Sequence, residues 1–169
     1  MHRPALQSNI LKPVMKHFCT SSKLLLSLLL VAASFKVSAQ TEKPPSLNHI
    51  AVFVHDLTNT TEFYKEIIGL KMIPEPFHDG RHTWFQIGEH SQLHLIKGAK
   101  SVVAHEKDGH LCFTVSSMEA FISNLNKNNI PYESWLGVSN EMTVRPDGVK
   151  QIYFKDPEGY WVEINNDTF

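Results

Sequence analysis

Two stretches of this chain begin alike: His49-Ile50-Ala51-Val52-Phe53-Val54 and His110-Leu111-Cys112-Phe113-Thr114-Val115, with their histidines 61 residues apart. Each places a metal-capable side chain at the head of an apolar run of strand type, and helix-start residues follow within a few positions. A repeat of this kind restricts the chain to architectures made from two copies of one supersecondary unit. The leading histidines then fall at equivalent places, as they would in a duplicated fold that shares one site between its halves.

The rest of each copy keeps the same order. After a strand over 48–54, Asp56 to Asn59 offers helix-start residues, and Asn59 with Glu62 has capping-box spacing. Phe63, Ile67 and Leu70 recur at helical intervals, and Gly69 is a natural stop. Strands are predicted near 71–75, 82–87 and 91–96, with turns at His78-Asp79-Gly80 and Gly88-Glu89-His90. In the second copy a strand over 110–115 leads to Ser116, which has capping-box spacing with Glu119, and Phe121, Ile122 and Leu125 make the apolar stripe. Extended segments follow near 131–135, 142–146, 150–155 and 160–165, one of them surplus to the repeat, and Asp156-Pro157-Glu158-Gly159 reads as a type I turn. Both copies are therefore approximately βαβββ.

Residues 1–39 carry five basic side chains (Arg3, Lys12, Lys16, Lys23, Lys36) and no acid. Leu24 to Phe35 is an uncharged run of twelve, and Val37-Ser38-Ala39 presents small residues before Gln40. That order predicts a signal peptide over 1–39, cut near Ala39–Gln40, and an exported protein, periplasmic or secreted. Twelve residues fall short of the roughly 20 that span a bilayer, so a membrane enters only through export. Cys19 precedes the apolar run, which does not suit a lipoprotein cysteine, and Met15 offers a second start. A linker over 40–46 follows, with Pro44 and Pro45, and then a single domain over 47–169 with modules of about 47–98 and 108–167.

From Gln40 onward there are eleven Lys and Arg against seventeen Asp and Glu, a formal charge of −6. Such a surface has no electrostatic basis for binding nucleic acid. Cys112 alone remains in this part, which excludes an intrachain disulfide. Eight histidines remain as well, and strand alternation indicates where four candidate ligands fall. His49, Ala51 and Phe53 share one face, as do His110, Cys112 and Thr114. Gln92, His94 and Ile96 align on another strand, and Trp161, Glu163 and Asn165 on a fourth. His94 and Glu163 sit in matching places, each polar between apolar neighbours, where burial is costly without a partner.

Leu47-Asn48-His49-Ile50, Phe63-Tyr64 before Gly69-Leu70, and Asp156-Pro157-Glu158-Gly159-Tyr160 before Val162-Glu163-Ile164 together resemble the vicinal oxygen chelate superfamily. That superfamily includes glyoxalase I, bleomycin-resistance proteins, fosfomycin thiol transferases and extradiol dioxygenases. The resemblance covers about residues 46–167 and implies an α+β fold, two βαβββ modules forming a half-open mixed β-barrel around a metal site. It puts the ligands at His49, His94, His110 and Glu163, holding a divalent metal (Ni, Co, Mn, Fe or Zn). Glyoxalase I commonly has glutamate where His94 stands.

The activity implied is that of a lyase or isomerase of the lactoylglutathione lyase type, working through an enediolate-type intermediate, with Glu163 also moving the proton. Glyoxalase I holds glutathione carboxylates with an arginine four residues after the first ligand and an asparagine four after the second. Phe53 and Gly98 stand there in this chain. Trp161 is the expected pocket-lining aromatic, with Arg81, Arg145 and Lys150 as candidate contacts for an anionic small-molecule substrate, and Cys112 reads by default as a small buried hydrophobe. Three alternatives remain: an extradiol-type dioxygenase on His49, His110 and Glu163, a fosfomycin-type thiol transferase, and a drug-binding protein without catalysis. Modules of this superfamily pair within one chain or across two, so a homodimer is an open expectation.

Overall fold

Alternation of apolar and polar side chains puts Val52 and Val54 into the core and turns His49, Ala51 and Phe53 to the opposite face of β1 (His49–Val54). The computed structural model describes residues 43–168, so the expected signal peptide, its cleavage point and the first residues of the linker lie outside the described residues. From Pro45 onward the chain forms one compact unit. After β1 come α1 (Leu57–Glu62), β2 (Lys71–Ile73), β3 (His82–Gln86) and β4 (Gln92–Lys97). The order then repeats as β5 (His110–Thr114), α2 (Met118–Lys127), β6 (Thr143–Val144), β7 (Lys150–Lys155) and β8 (Trp161–Asn165).

Each module makes a four-stranded mixed sheet, β1-β4-β3-β2 and β5-β8-β7-β6, in which the first and last strands of the module run parallel. The sheets do not close onto each other, which gives the half-open α+β arrangement. Register makes the repeat exact at the candidate site. Ala51 pairs with His94 and Cys112 with Glu163, each two residues beyond the leading histidine.

Local chemistry sets the helix ends differently from the simplest reading. Asp56, not Asn59, caps α1, its Oδ1 accepting the Asn59 N–H at 3.1 Å. The helix then widens into a π-helical turn over Phe63–Ile67 and ends at Gly69, whose φ of +83° suits glycine. The extra width lets both Phe63 and Tyr64 bury. In α2 the cap is Ser117 rather than Ser116, accepting from the Ala120 N–H at 3.1 Å. Residues 131–135 make no strand. Glu133 forms single bridges to Ser139 and Tyr153, so the second module keeps three strands after its helix.

The helix-covered faces meet through aromatic rings, with Phe63 6.2 Å and Phe121 6.0 Å from Phe154. A polar tie fixes the two modules at one end. Glu158, 2% exposed, accepts the backbone N–H groups of His55 at 2.7 Å and Asp56 at 2.8 Å, and the Thr60 hydroxyl at 3.0 Å. Beside it the Tyr64 hydroxyl donates to Asp156 at 2.9 Å. Replacing Glu158 by alanine strands the backbone N–H groups of His55 and Asp56, while the Thr60 hydroxyl keeps the Asp56 carbonyl at 2.7 Å. Urea unfolding of Glu158→Ala is expected to show a loss of roughly 3 kcal/mol. A loss below about 1 kcal/mol would mean that the tie adds little.

Candidate metal centre

The four expected ligands lie as two pairs, one on each sheet. On the first sheet His49 and His94 stack, ring centroids 4.3 Å apart and 10° from parallel. His49 Nδ1 donates to Asn48 Oδ1 at 2.8 Å, because an amide oxygen can only accept, and Nε2 is left as the free lone pair. His94 is 7% exposed and stacked on its other face by Trp84, with centroids 3.9 Å apart. Its Nε2 contacts Gln92 Oε1 at 2.8 Å, and burial, then the neighbouring His49 and His82, lowers its pKa. Lone pairs of imidazole lie in the ring plane, so two stacked, near-parallel rings cannot both aim at one ion. As placed, His94 supports His49 rather than joining it as a ligand.

The second sheet carries His110 and Glu163. His110 Nδ1 donates to the Lys107 carbonyl at 2.8 Å, and Nε2 faces Glu163 Oε2 at 3.1 Å. Two acceptors facing each other would repel, so a proton or a cation belongs on that line. Glu163 is otherwise well supplied with donors. Its Oε1 accepts from Gln151 at 2.6 Å, Asn165 at 2.9 Å and Cys112 at 3.3 Å, and its Oε2 from the Tyr153 hydroxyl at 2.6 Å. Burial alone would raise the Glu163 pKa, but these donors outweigh it and leave it lowered. Oε1 is saturated, and the one acceptor direction still open on Oε2 points at His110. Desolvation, then its bond to the carboxylate, pushes the Cys112 thiol up to about 12. Cys112 therefore belongs to this polar network and is not the small buried hydrophobe expected of it.

Among the described residues, no three His, Cys, Asp or Glu side chains converge closely enough to share a metal ion. The donor set still suits one. His49 and His110 repeat the same arrangement, Nδ1 bound to a carbonyl oxygen as metal-binding histidines commonly have it, with Nε2 of His110 facing Glu163. The other expected contacts already have partners. Trp161 donates its indole N–H to the His105 carbonyl, and Lys107 and Lys155 cover its ring. Arg81 reaches the Lys97 carbonyl, Arg145 pairs with Asp147 and Asp167, and Lys150 approaches Glu119 at 3.7 Å. Sequence reasoning missed Gln151 and Tyr153. Their polar positions, alternating with Ile152 and Phe154 in β7, were the available signal.

A family model described as Glyoxalase/Bleomycin resistance protein/Dioxygenase superfamily matches residues 46–164. The chain is 27% identical over 129 residues to Glyoxylase I 4 of Arabidopsis thaliana, covering 72% of this chain and 70% of that protein. It is 25% identical over 136 residues to Metallothiol transferase FosB of Staphylococcus epidermidis, covering 73% and 82%. Among solved structures, Oxidase ChaP-H2 superposes with a TM-score of 0.61 at 22% identity, over 75% of this chain and 97% of that one, a likeness of fold. These relatives correct the exported, periplasmic or secreted location, since the glyoxalase and FosB homologues are cytosolic enzymes. The basic, apolar and small-residue order at 1–39 is a pattern of composition, and composition alone does not fix an address.

Tyr153 is the donor that holds the open oxygen of Glu163. Tyr153→Phe is expected to cost about 1.5–3 kcal/mol in chemical denaturation, the range for a hydrogen bond to a charged group. An unchanged midpoint would show that the hydroxyl does not anchor the carboxylate.

Proposed function

This chain belongs to the Glyoxalase/Bleomycin resistance protein/Dioxygenase superfamily, and on that basis we propose that it is a metal-dependent glyoxalase-like enzyme, a lyase or isomerase. Members act on small molecules and typically depend on a divalent metal. The observation that carries the reading is the matched pair of histidines, His49 and His110, each presenting Nε2 from a fixed tautomer, with Glu163 held beside the second. His49, His110 and Glu163 would hold the metal, with His94 backing His49. When bound, the metal acts as a Lewis acid toward two neighbouring substrate oxygens and eases loss of a proton from the adjacent carbon.

The protein's own part is to orient and to move that proton. Oε2 of Glu163 receives it, being the carboxylate oxygen with an open direction, and Tyr153, Gln151 and Asn165 keep the group aimed. Ligation and proton carriage use the same lone pair, so Glu163 does one at a time. Because the two half-sites do not converge within one chain, the complete set is assembled between two copies, His49 of one with His110 and Glu163 of the other.

Mixing two inactive variants tests both parts of the reading. His49→Ala and Glu163→Ala should each lose bound metal by elemental analysis and lower kcat/KM by roughly 100-fold or more. Remixed after reversible dissociation, they should recover about a quarter of wild-type sites, since half the dimers then hold one intact site of two. Mixtures no more active than the separate variants would refute the shared site, and variants that keep their metal would refute the ligand set.

An extradiol-type dioxygenase is the second reading. It is favoured by the stacking of His94, which leaves two histidines and one carboxylate, the donor set of non-haem iron oxygenases. Oxygen uptake with a catechol under iron(II) would select it over the lyase.

A further inference from the structure

Lys107 lies in the turn that leads into β5, three residues before His110, and it reaches the second half-site through both its backbone and its side chain. Its carbonyl accepts His110 Nδ1 at 2.8 Å. Its ammonium is bound to the Glu133 carboxylate and donates to the carbonyls of Ser134 at 3.3 Å and Trp135 at 3.2 Å. An ammonium has three donors, and three oxygens take them here. The same nitrogen lies 4.6 Å from the centre of the Trp161 ring and 5.7 Å from that of Tyr153, within cation–π range of both. Lys155 also lies over Trp161, at 4.8 Å, but it is exposed and donates to none of these oxygens.

Each group that Lys107 holds bears on Tyr153. Glu133 is tied to Tyr153 by a two-way backbone bridge, with N–H to carbonyl distances of 2.8 and 2.9 Å. The Trp135 ring meets the Tyr153 ring edge-on at 5.5 Å. The Tyr153 hydroxyl in turn donates to Glu163 Oε2 at 2.6 Å, and that oxygen faces His110 Nε2 at 3.1 Å. The contacts close a circuit. One arm runs from the Lys107 carbonyl through His110 to Glu163, and the other from the Lys107 ammonium through the 133–135 segment and Tyr153 to the same oxygen.

We propose that Lys107 is a positioning residue of the second half-site. Its ammonium places the Tyr153 hydroxyl, and through it Glu163 Oε2, opposite the histidine whose ring its own carbonyl orients. A neutral side chain at 107 leaves the Glu133 carboxylate and two carbonyls without their shared donor, which loosens the 133–135 segment over Tyr153. That the positioned pair serves a metal rests on the reading above. The circuit itself stands without that reading.

The test is chemical rescue in the full chain. Lys107→Ala removes three carbons and the ammonium, which n-propylammonium replaces atom for atom, and n-propanol is the uncharged control. In EDTA, the ζ-carbon NMR resonance of Tyr153, which reports its hydrogen bond to Glu163, should move in Lys107→Ala. It should return on titration with n-propylammonium and not with n-propanol. Lys107→Met keeps the apolar stem and should move the resonance even where the alanine variant does not fold, Lys107→Arg keeps the charge and should move it less, and Lys155→Ala should leave it in place. With metal restored, Lys107→Ala or Lys107→Met should bind zinc about tenfold more weakly than wild type. A Tyr153 resonance that the neutral variants do not move overturns the proposal. So does a shift that n-propanol reverses equally, that arginine does not lessen, or that Lys155→Ala reproduces. A protein that retains no zinc but shows this pattern loses the metal reading alone, and zinc retention with an unmoved Tyr153 resonance loses this proposal alone.

Discussion

With 2% of its surface exposed, Glu158 can be buried only because two backbone N–H groups and a hydroxyl from the other module converge on it. The turn that delivers it is built by Asp156, whose Oδ1 accepts the N–H groups of Glu158 and Tyr160, both at 2.9 Å. Its other oxygen takes the Tyr64 hydroxyl. One connection thus aims two carboxylates into the first module, and burial raises the Asp156 pKa despite these donors. Gly159 in the same turn has φ +87°, and a Cβ there would stand 2.4 Å from the Val103 carbonyl, so the segment linking the modules presses on it as well.

This tie explains why the half-sites stay apart within a chain. It grips β1 just past its C-terminal end, at His55, whereas His49 opens the strand six residues earlier, about 20 Å away at strand rise. His110, by contrast, pairs in register with Trp161, three residues after Glu158. The interaction that unites the modules therefore places one leading histidine near the joint and the other at the far end of its strand. In the proposed assembly a second copy supplies the missing donors.

Much of this was legible in the chain, and the failures have physical causes. The duplicated βαβββ order, β7 to the residue, and the equivalence of His94 with Glu163 followed from period-two alternation and turn chemistry, which are local. The π-helical turn at Phe63–Ile67 did not, because its cause is the burial of Phe63 and Tyr64 against distant strands. The helix caps were misplaced by one to three residues, since Asp56 and Ser117 compete with equally suitable neighbours. At the site, residue types and strand faces were readable but side-chain orientation was not. Nothing in the order of residues tells that His94 would be sandwiched between His49 and Trp84.

That sandwich bears on what the site selects. On the proposed reading His49 is a ligand, which needs a fixed tautomer and a fixed ring, and stacking on His94 supplies the second where Asn48 supplies the first. Module two achieves the same result with different means: the Lys107 carbonyl fixes the tautomer of His110, and the Tyr153 ring meets it edge-on at 5.6 Å. The duplication has therefore preserved the presentation of two nitrogens while its supports diverged. Only the second module carries a carboxylate, and four protein donors satisfy it. On the proposed metal reading, its single open direction makes the His110 side the fixed reference to which the first module's histidine is brought.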